Sequence, residues 1–411
     1  MRRRLRGLIA AADAYPPFRV DVAILFGEEL VQRGHRFDWL LSAVDGGGDA
    51  GEWPLWEGRA WVGSSQRKRS IVGKIGAALH DLGHDFGILR RSRRGEYDFI
   101  QVKDKFFAAL VAYIAARAVG VPFFFWLSFP FPEAMIYRAR AGISPHPRID
   151  LVRGYLLKAF LYRFILKAAD HVFVQSAQMK ADVSAEGIPA EKLTPVPMGV
   201  SLRRLSELGL DGRPGAARGK DVVYLGDLGR TRRIDFLIRV FSLVVREQPT
   251  ARLHLIGGAH REEDIVELKR LAGELELGEA IEFAGRLPIE QAWSRAAQAA
   301  VCVSPLYPSP IFRPASPTKV VEYMAIGRPV VVNDHPEQRQ LVEASGGGLC
   351  VRFDEAEFAT AIVELLRDPD TAEAMGARGR AYIEQNRDYG VIAEMVEAEY
   401  LRLCGQPPVH A

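Results

Sequence analysis

Between Ser316 and Val332 the chain reads S-P-T-K-V-V-E-Y-M-A-I-G-R-P-V-V-V, and three of these side chains, Thr318, Lys319 and Glu322, could do chemistry together. Ser316 suits an N-cap, and Pro317 suits the first helical position, where no amide hydrogen is needed. Gly327 stops the helix, and Val330 to Val332 is a β-branched run that predicts a strand. A helix starting at Ser316 aims unpaired N–H groups and the positive end of its dipole at whatever lies in front of it. Thr318, Lys319 and Glu322 are three or four residues apart, so they share one face near that end. An anion-binding tip with a carboxylate one turn deeper suits a nucleoside diphosphate. The helix end takes the phosphates, and the carboxylate accepts hydrogen bonds from ribose hydroxyls. Taken alone, an ordinary α/β helix with one exposed glutamate reads the same way.

A second candidate lies in the loop Gly226-Asp227-Leu228-Gly229-Arg230-Thr231-Arg232-Arg233. Arg230, Arg232 and Arg233 place three guanidinium groups within four residues, a clamp suited to phosphate oxygens. On residues alone, a solvated basic loop explains them equally well.

The elements that position these groups alternate between strand-like and helix-like patterns, which predicts parallel sheets with helices on both faces. In the first half, strands are expected at 6–12, 37–41, 97–103 and 121–127, and helices at 22–33, 106–119 and 148–169. The stretch 45–65, with Gly46 to Gly48, Trp53, Trp56 and Trp61, reads as a long connection. Its aromatic rings suit sugar stacking, or simply anchor the loop. Arg153, Lys158, Arg163 and Lys167 fall at steps of five and four, scattered around the helix 148–169. That favours a core helix with snorkelling basic residues over a membrane-lying one. Residues 201–220 read as a linker. From Asp221 onward, strands at 221–225, 252–256, 280–284, 300–304, 328–332 and 348–351 with glycine-rich turns predict a second domain of Rossmann type.

At 411 residues the chain suits two domains. A net charge of +3 does not call for nucleic acid as a partner. Cys302, Cys350 and Cys404 fit a reducing cytoplasm with no disulfide framework. No stretch approaches the roughly 18 apolar residues of a membrane span. Met1 to Ala12 reads as a first strand, because its apolar run is short and meets Asp13. His80 and His84 stand at i and i+4, but the motif lacks the glutamate of H-E-x-x-H, so no metal site is expected.

The stretch around Glu322 resembles the donor-site helix of family 4 glycosyltransferases, retaining enzymes of the GT-B architecture. Their E-x7-E signature has a second glutamate opening an E-[AY]-M-A run, which maps onto Glu322 in E-Y-M-A; the first falls on Pro314. The G-R-x-x-x-x-K-G loop of the family maps onto Gly226 to Arg233, with Asp227 in place of its arginine and Arg232 in place of its lysine. Gly285, within A-G-R-L, matches an element near the nucleobase. G-V-P-F-F-F-W-L-S resembles a strand whose end faces the donor sugar, with Ser128 where a histidine is common and Glu133 just beyond it. The P-P loop after the first strand lacks the family's glycine pair. Arg19 beside it is a candidate for the missing charge, and a solvated arginine fits as well.

The resemblance implies a GT-B fold of two Rossmann-like domains facing each other across a cleft: 1–200 for the acceptor, linker 201–220, 221–385 for the donor, and a C-terminal segment 386–411 crossing back. It implies retaining, metal-independent hexosyl transfer, without a cofactor, from a nucleotide sugar to a saccharide or lipid-linked saccharide. UDP-sugar is the first expectation and GDP-sugar the second, in bacterial cell-surface polysaccharide synthesis. Arg230 and Arg232 are then the catalytic pair, and Glu322, Lys319, Thr318, Ser316, Gly226, Arg233 and Gly285 hold the donor. Ser128, Glu133 and Arg19 are the sugar or acceptor contacts. The expected location is the cytoplasm, with peripheral contact at the inner membrane through the basic clusters 67–69 and 90–94. Pro314, Asp227 and Ser128 also keep open a non-catalytic glycan-binding or scaffolding role.

Overall fold

The structure, a computed structural model, describes residues 3–43, 50–63, 81–210 and 219–405. Gly46 to Gly48, the basic run 67–69, His80 and the glycines at 212 and 215 lie outside them. The chain divides into two compact units, 1–197 with 389–411, and 198–388.

In the first unit the strands are β1 (Arg6–Tyr15), β2 (Arg36–Ala43), β3 (Gly51–Leu55), β4 (Gly58–Val62), β5 (Phe99–Lys103), β6 (Phe123–Leu127), β7 (His171–Val174) and β8 (Leu193–Pro195). They form one sheet in the order β3-β4-β2-β1-β5-β6-β7-β8, parallel throughout except for the β3–β4 hairpin. Strands buried on both faces need apolar residues at every position. In β6, Phe123, Phe125 and Leu127 enter one core, while Phe124 and Trp126 enter the core on the opposite face.

Two expectations change here. The stretch 45–65 is not one long connection, because its described part is the β3–β4 hairpin at the sheet edge. Trp56 sits in the tight turn and packs edge-on against Trp39 at 5.6 Å, and Trp61 is buried, so two of the three tryptophans anchor the hairpin. The helix expected at 148–169 is a helix Pro147–Phe160, a π-helical turn Leu161–Ile165 and a short helical end, Leu166–Ala168. Only its second half is a core helix: Leu161, Tyr162, Ile165 and Leu166 are buried, whereas within Pro147–Phe160 only Gly154 is.

The last helix, Tyr389–Cys404, packs on the first unit. Tyr400 stacks on Phe99 at 4.3 Å, and its hydroxyl donates to Gln101 Oε1 at 2.6 Å. Arg33 donates to Glu397 at 2.9 Å, and His35 Nε2 lies 3.0 Å from the same carboxylate. The R-G-H sequence after the first helix thus ties the two ends of the chain together.

The second unit is a six-stranded parallel sheet of β9 (Asp221–Leu225), β10 (Arg252–Ile256), β11 (Ile281–Gly285), β12 (Val301–Ser304), β13 (Val330–Asn333) and β14 (Gly348–Val351), in the order β11-β10-β9-β12-β13-β14. Apolar residues at helical spacing make its helices amphipathic: in Ile234–Glu247, Leu237, Val240, Phe241 and Val244 all enter the core. The segment expected as a linker begins with a helix, Leu202–Glu207, whose Leu205 is buried in this unit's core. Among the described residues no helix is long and apolar enough to cross a membrane, and no group of three or more metal-ligating side chains gathers. The three cysteines are free.

Candidate functional site

In open parallel sheets, ligands bind outside the carboxyl ends of the strands, and in the second unit those ends are drawn together by glycines. Gly226 follows β9 and donates from its amide to the Ile256 carbonyl at 2.9 Å. Gly257 follows β10 and donates to the Gly285 carbonyl at 2.8 Å. Both hold positive φ, +140° and +154°, and a Cβ at Gly257 would lie 1.8 Å from the Gly226 carbonyl oxygen. No other residue allows this approach. Gly285, at φ +72°, ends β11. Gly257 and Gly285, together with Gly258, Phe283, Ile265 and Arg286, line a cavity of about 330 Å³.

The helix Thr318–Ala325 starts beside these turns, but its cap differs from expectation. Its N-cap is Pro317, and no side chain caps it, so its first amides face outward for another acceptor. Ser316 is buried instead. Its hydroxyl accepts from the Met198 amide at 2.9 Å and donates to Glu337 at 3.3 Å, and Glu337 pairs with Arg387 at 2.7 Å. The loop leading to the helix, which carries Pro314, is pinned by Asn333. The Asn333 side chain accepts from Leu306 N–H at 2.6 Å and donates to the Leu306 carbonyl at 2.9 Å. His335 Nε2 meets the Phe312 carbonyl at 2.7 Å.

Lys319 lies over the Tyr224 ring, 3.8 Å from its centroid, and a Cβ on Gly226 would stand 2.9 Å from the lysine Nζ. Burial, and then the positive charge of Arg232, pull the Lys319 ammonium down to about 7. Burial pushes the Glu322 carboxyl up to about 7, against the pull of Trp293 and Lys319. The Trp293 indole approaches that carboxylate without closing a well-aligned hydrogen bond. Glu322 therefore holds unused acceptor capacity, and a poorly solvated ammonium stands one turn away. Such a site gains most from a ligand that brings both hydroxyls and negative charge.

The three arginines of the loop after β9 point to different places. Arg232 lies 3.8 Å from Asp227 and 4.9 Å over the Phe312 ring, close enough for its charge to act on Lys319. Arg230 turns to the helix Glu262–Glu274, where its guanidinium donates to both Glu267 oxygens at 2.7 and 2.8 Å. Arg233 has φ +52°, bonds Asp235 at 3.0 Å and lies 5.3 Å over Tyr307. Lys319, Glu322, Arg232 and Gly226 thus form one group with Thr318 at the helix start, whereas Arg230 and Arg233 are engaged beside it. Arg232→Ala is accordingly expected to lower kcat at least about tenfold, and Arg230→Ala by less than about threefold, because an exposed ion pair contributes little. Equal losses in steady-state rates would contradict this assignment.

In the first unit, the ends of β1, β5 and β6 gather a second group of charges. Ser128 donates from its amide to Asp104 Oδ1 at 2.9 Å, and its hydroxyl bonds Asp104 Oδ2. Lys103, nearly buried, lies 2.9 Å from Asp13, 3.7 Å from Asp21 and 3.9 Å from Asp104. Arg19 donates to both Asp21 oxygens at 3.0 and 3.1 Å. Burial raises the Asp104 carboxyl against the opposing charge of Lys103, and Asp104 holds φ +60°. Ser128 and Arg19 therefore meet in one cluster, and Glu133 does not join it. Glu133 lies 3.8 Å from Lys158 and interacts with the Tyr162 hydroxyl.

Sequence reasoning missed Asp13, Asp21, Lys103, Asp104 and Trp293. Lys103-Asp104 closing an apolar strand was the available signal, since charge at the end of a buried strand needs partners. Nothing local marked Trp293.

Comparison with known proteins bears on the family and the fold. A model described as glycosyl transferases group 1 matches residues 219–368, and a glycosyl transferase 4-like domain matches residues 25–199. An uncharacterised glycosyltransferase of Haemophilus influenzae is 27% identical over 174 residues, 42% of this chain and 46% of that one. This chain thus spans just under half the length of that curated relative. Among solved structures, sucrose-phosphate synthase from Thermosynechococcus elongatus superposes with a TM-score of 0.73 at 19% identity, over 97% of this chain and 99% of that one. Anabaena Alr3699/HepE, solved with UDP and glucose, superposes with a TM-score of 0.65 at 16% identity, over 97% and 99%. Two Rossmann-like sheets, glycine turns beside the helix that carries Lys319 and Glu322, and two domain models that between them span most of the chain lead to one conclusion: this chain belongs to the family 4 glycosyltransferases of GT-B fold.

Proposed function

We propose that this protein transfers a hexose from a nucleoside-diphosphate sugar, UDP-linked first and GDP-linked second, to a hydroxyl of a saccharide or lipid-linked saccharide. Assembly of a bacterial cell-surface polysaccharide is the setting. The observation that carries the reading is the placement of Lys319 and Glu322 on one face of the helix Thr318–Ala325, above the Gly226 turn and within reach of Arg232's charge. Glu322 accepts from the ribose hydroxyls. The uncapped helix start, Lys319 and Arg232 hold the diphosphate, on which negative charge grows as the glycosidic bond breaks. The cavity beside Gly285 and Arg286 takes the base. The acceptor hydroxyl attacks from the side of the departing diphosphate, whose oxygen takes its proton, so configuration is retained and no protein base is required. The positive charge for the leaving group comes from Lys319 and Arg232 rather than from a metal.

Calorimetric titration with UDP, GDP and ADP tests this reading. One nucleotide should bind at micromolar affinity, and Glu322→Ala should weaken it at least about tenfold, about 1.4 kcal/mol. Absence of binding by all three would leave the second reading, a glycan-binding scaffold. That alternative is favoured by Asp227 neutralising Arg232, by Pro314, and by Ser128 being committed to Asp104.

A further inference from the structure

The helix Pro147–Phe160 presents an apolar stripe to solvent. Ile149, Val152 and Leu156 are 66%, 60% and 66% exposed, at the i, i+3, i+7 spacing of a single face. Ile143, on the turn before the helix, is 55% exposed, and Tyr155 is 46% exposed. On the opposite face Gly154 lets the helix settle against Phe131–Arg140, where a Cβ would stand 2.7 Å from Ile136. The stripe is therefore the side turned away from the protein.

At about 100° per residue, Arg148 and Arg153 flank the stripe, one on each side. Both are exposed, as are Arg138 and Arg163. None of these four has an acidic partner among the described residues. The acids nearby are occupied: Asp150 by the Ser144 hydroxyl, and Glu133 and Glu186 by Lys158. An apolar ridge of this size, flanked by arginines that make no ion pair, is the form of a helix lying in the headgroup layer of a negatively charged bilayer.

We infer that the helix Pro147–Phe160 docks this protein on an anionic lipid surface, with Ile149, Val152 and Leu156 entering the acyl boundary and Arg148 and Arg153 meeting lipid phosphates. The docking serves a lipid-linked acceptor, and only in that purpose does it rest on the proposed function. The surface belongs to the first unit, and the nucleotide site lies wholly within the second.

The test is co-sedimentation of the full chain with phosphatidylglycerol vesicles and with phosphatidylcholine vesicles. It compares wild type with Ile149→Ser/Val152→Ser/Leu156→Ser and with Arg148→Glu/Arg153→Glu, with UDP titrated in parallel. Wild type should bind the anionic vesicles alone, and both variants should lose at least about tenfold in vesicle affinity with UDP binding unchanged. All substituted side chains are exposed, so the fold tolerates the changes, and unaltered thermal melting confirms that. No binding to anionic vesicles, or binding that survives the triple substitution, overturns the inference. So does a wild-type dimer in light scattering that the triple variant turns monomeric without any vesicle binding, which would assign the ridge to a second copy. Loss of UDP binding in wild type would instead strike the proposed function and leave the docking surface standing.

Discussion

Lys319→Ala is expected to lower kcat by about 10²–10³-fold, the usual loss when one preorganised donor to developing charge is removed. The size follows from the setting. The ammonium sits over the Tyr224 ring and the Gly226 turn, and burial has already brought it down to about 7. A bound diphosphate restores the full charge there, where water screens it poorly. The same residue predicts a pH dependence. Above pH 7 the free enzyme loses the Lys319 proton, so nucleotide binding takes one up, and affinity falls by up to about tenfold per pH unit. Below pH 7 Glu322, raised to about 7, becomes protonated and accepts ribose hydroxyls poorly. UDP affinity should therefore peak near neutrality. Lys319→Ala should remove the alkaline limb, and Glu322→Gln the acid limb. Calorimetry across pH 5.5–9 in buffers of different ionisation enthalpy reads both the affinity and the proton uptake. A flat profile for wild type would show that these two groups do not face the nucleotide.

Gly257→Ala is expected to destabilise the second unit by more than about 3 kcal/mol, or to prevent its folding. The added methyl would stand 1.8 Å from the Gly226 carbonyl, at a φ of +154° that L side chains rarely adopt. Neither obstacle is the tip of a flexible side chain, so relief requires β9 and β10 to part at the site itself. Gly278→Ala is the control, because a Cβ there meets nothing within 4 Å. Its urea transition should stay within about 0.5 kcal/mol of wild type. Because two units unfold, the comparison belongs to the transition that the Tyr224 region reports, not to a single global midpoint. If Gly257→Ala melted like wild type and bound UDP normally, the close approach of the two turns would not be what shapes the site.

The helix Thr318–Ala325 was legible in sequence because its signals are local. Pro317 and Gly327 bracket one short helix, and spacing alone puts Lys319 and Glu322 on one face. Alternation of apolar strands with amphipathic helices likewise marked the parallel strands of both sheets, because strands buried on both faces are apolar throughout, but not the antiparallel β3–β4 hairpin at the edge of the first. What only the tertiary structure decided depends on partners distant in the chain. Glu267 draws Arg230 aside, and Glu337 takes Ser316 out of the capping role. Lys103 gathers Asp13 and Asp21 beside its own neighbour Asp104, and Gly154 against Ile136 turns Ile149, Val152 and Leu156 outward. Local backbone preference sets where a helix begins and which residues share its face. Which face meets the protein, and which charge meets which, is set by packing between elements that the linear order keeps far apart.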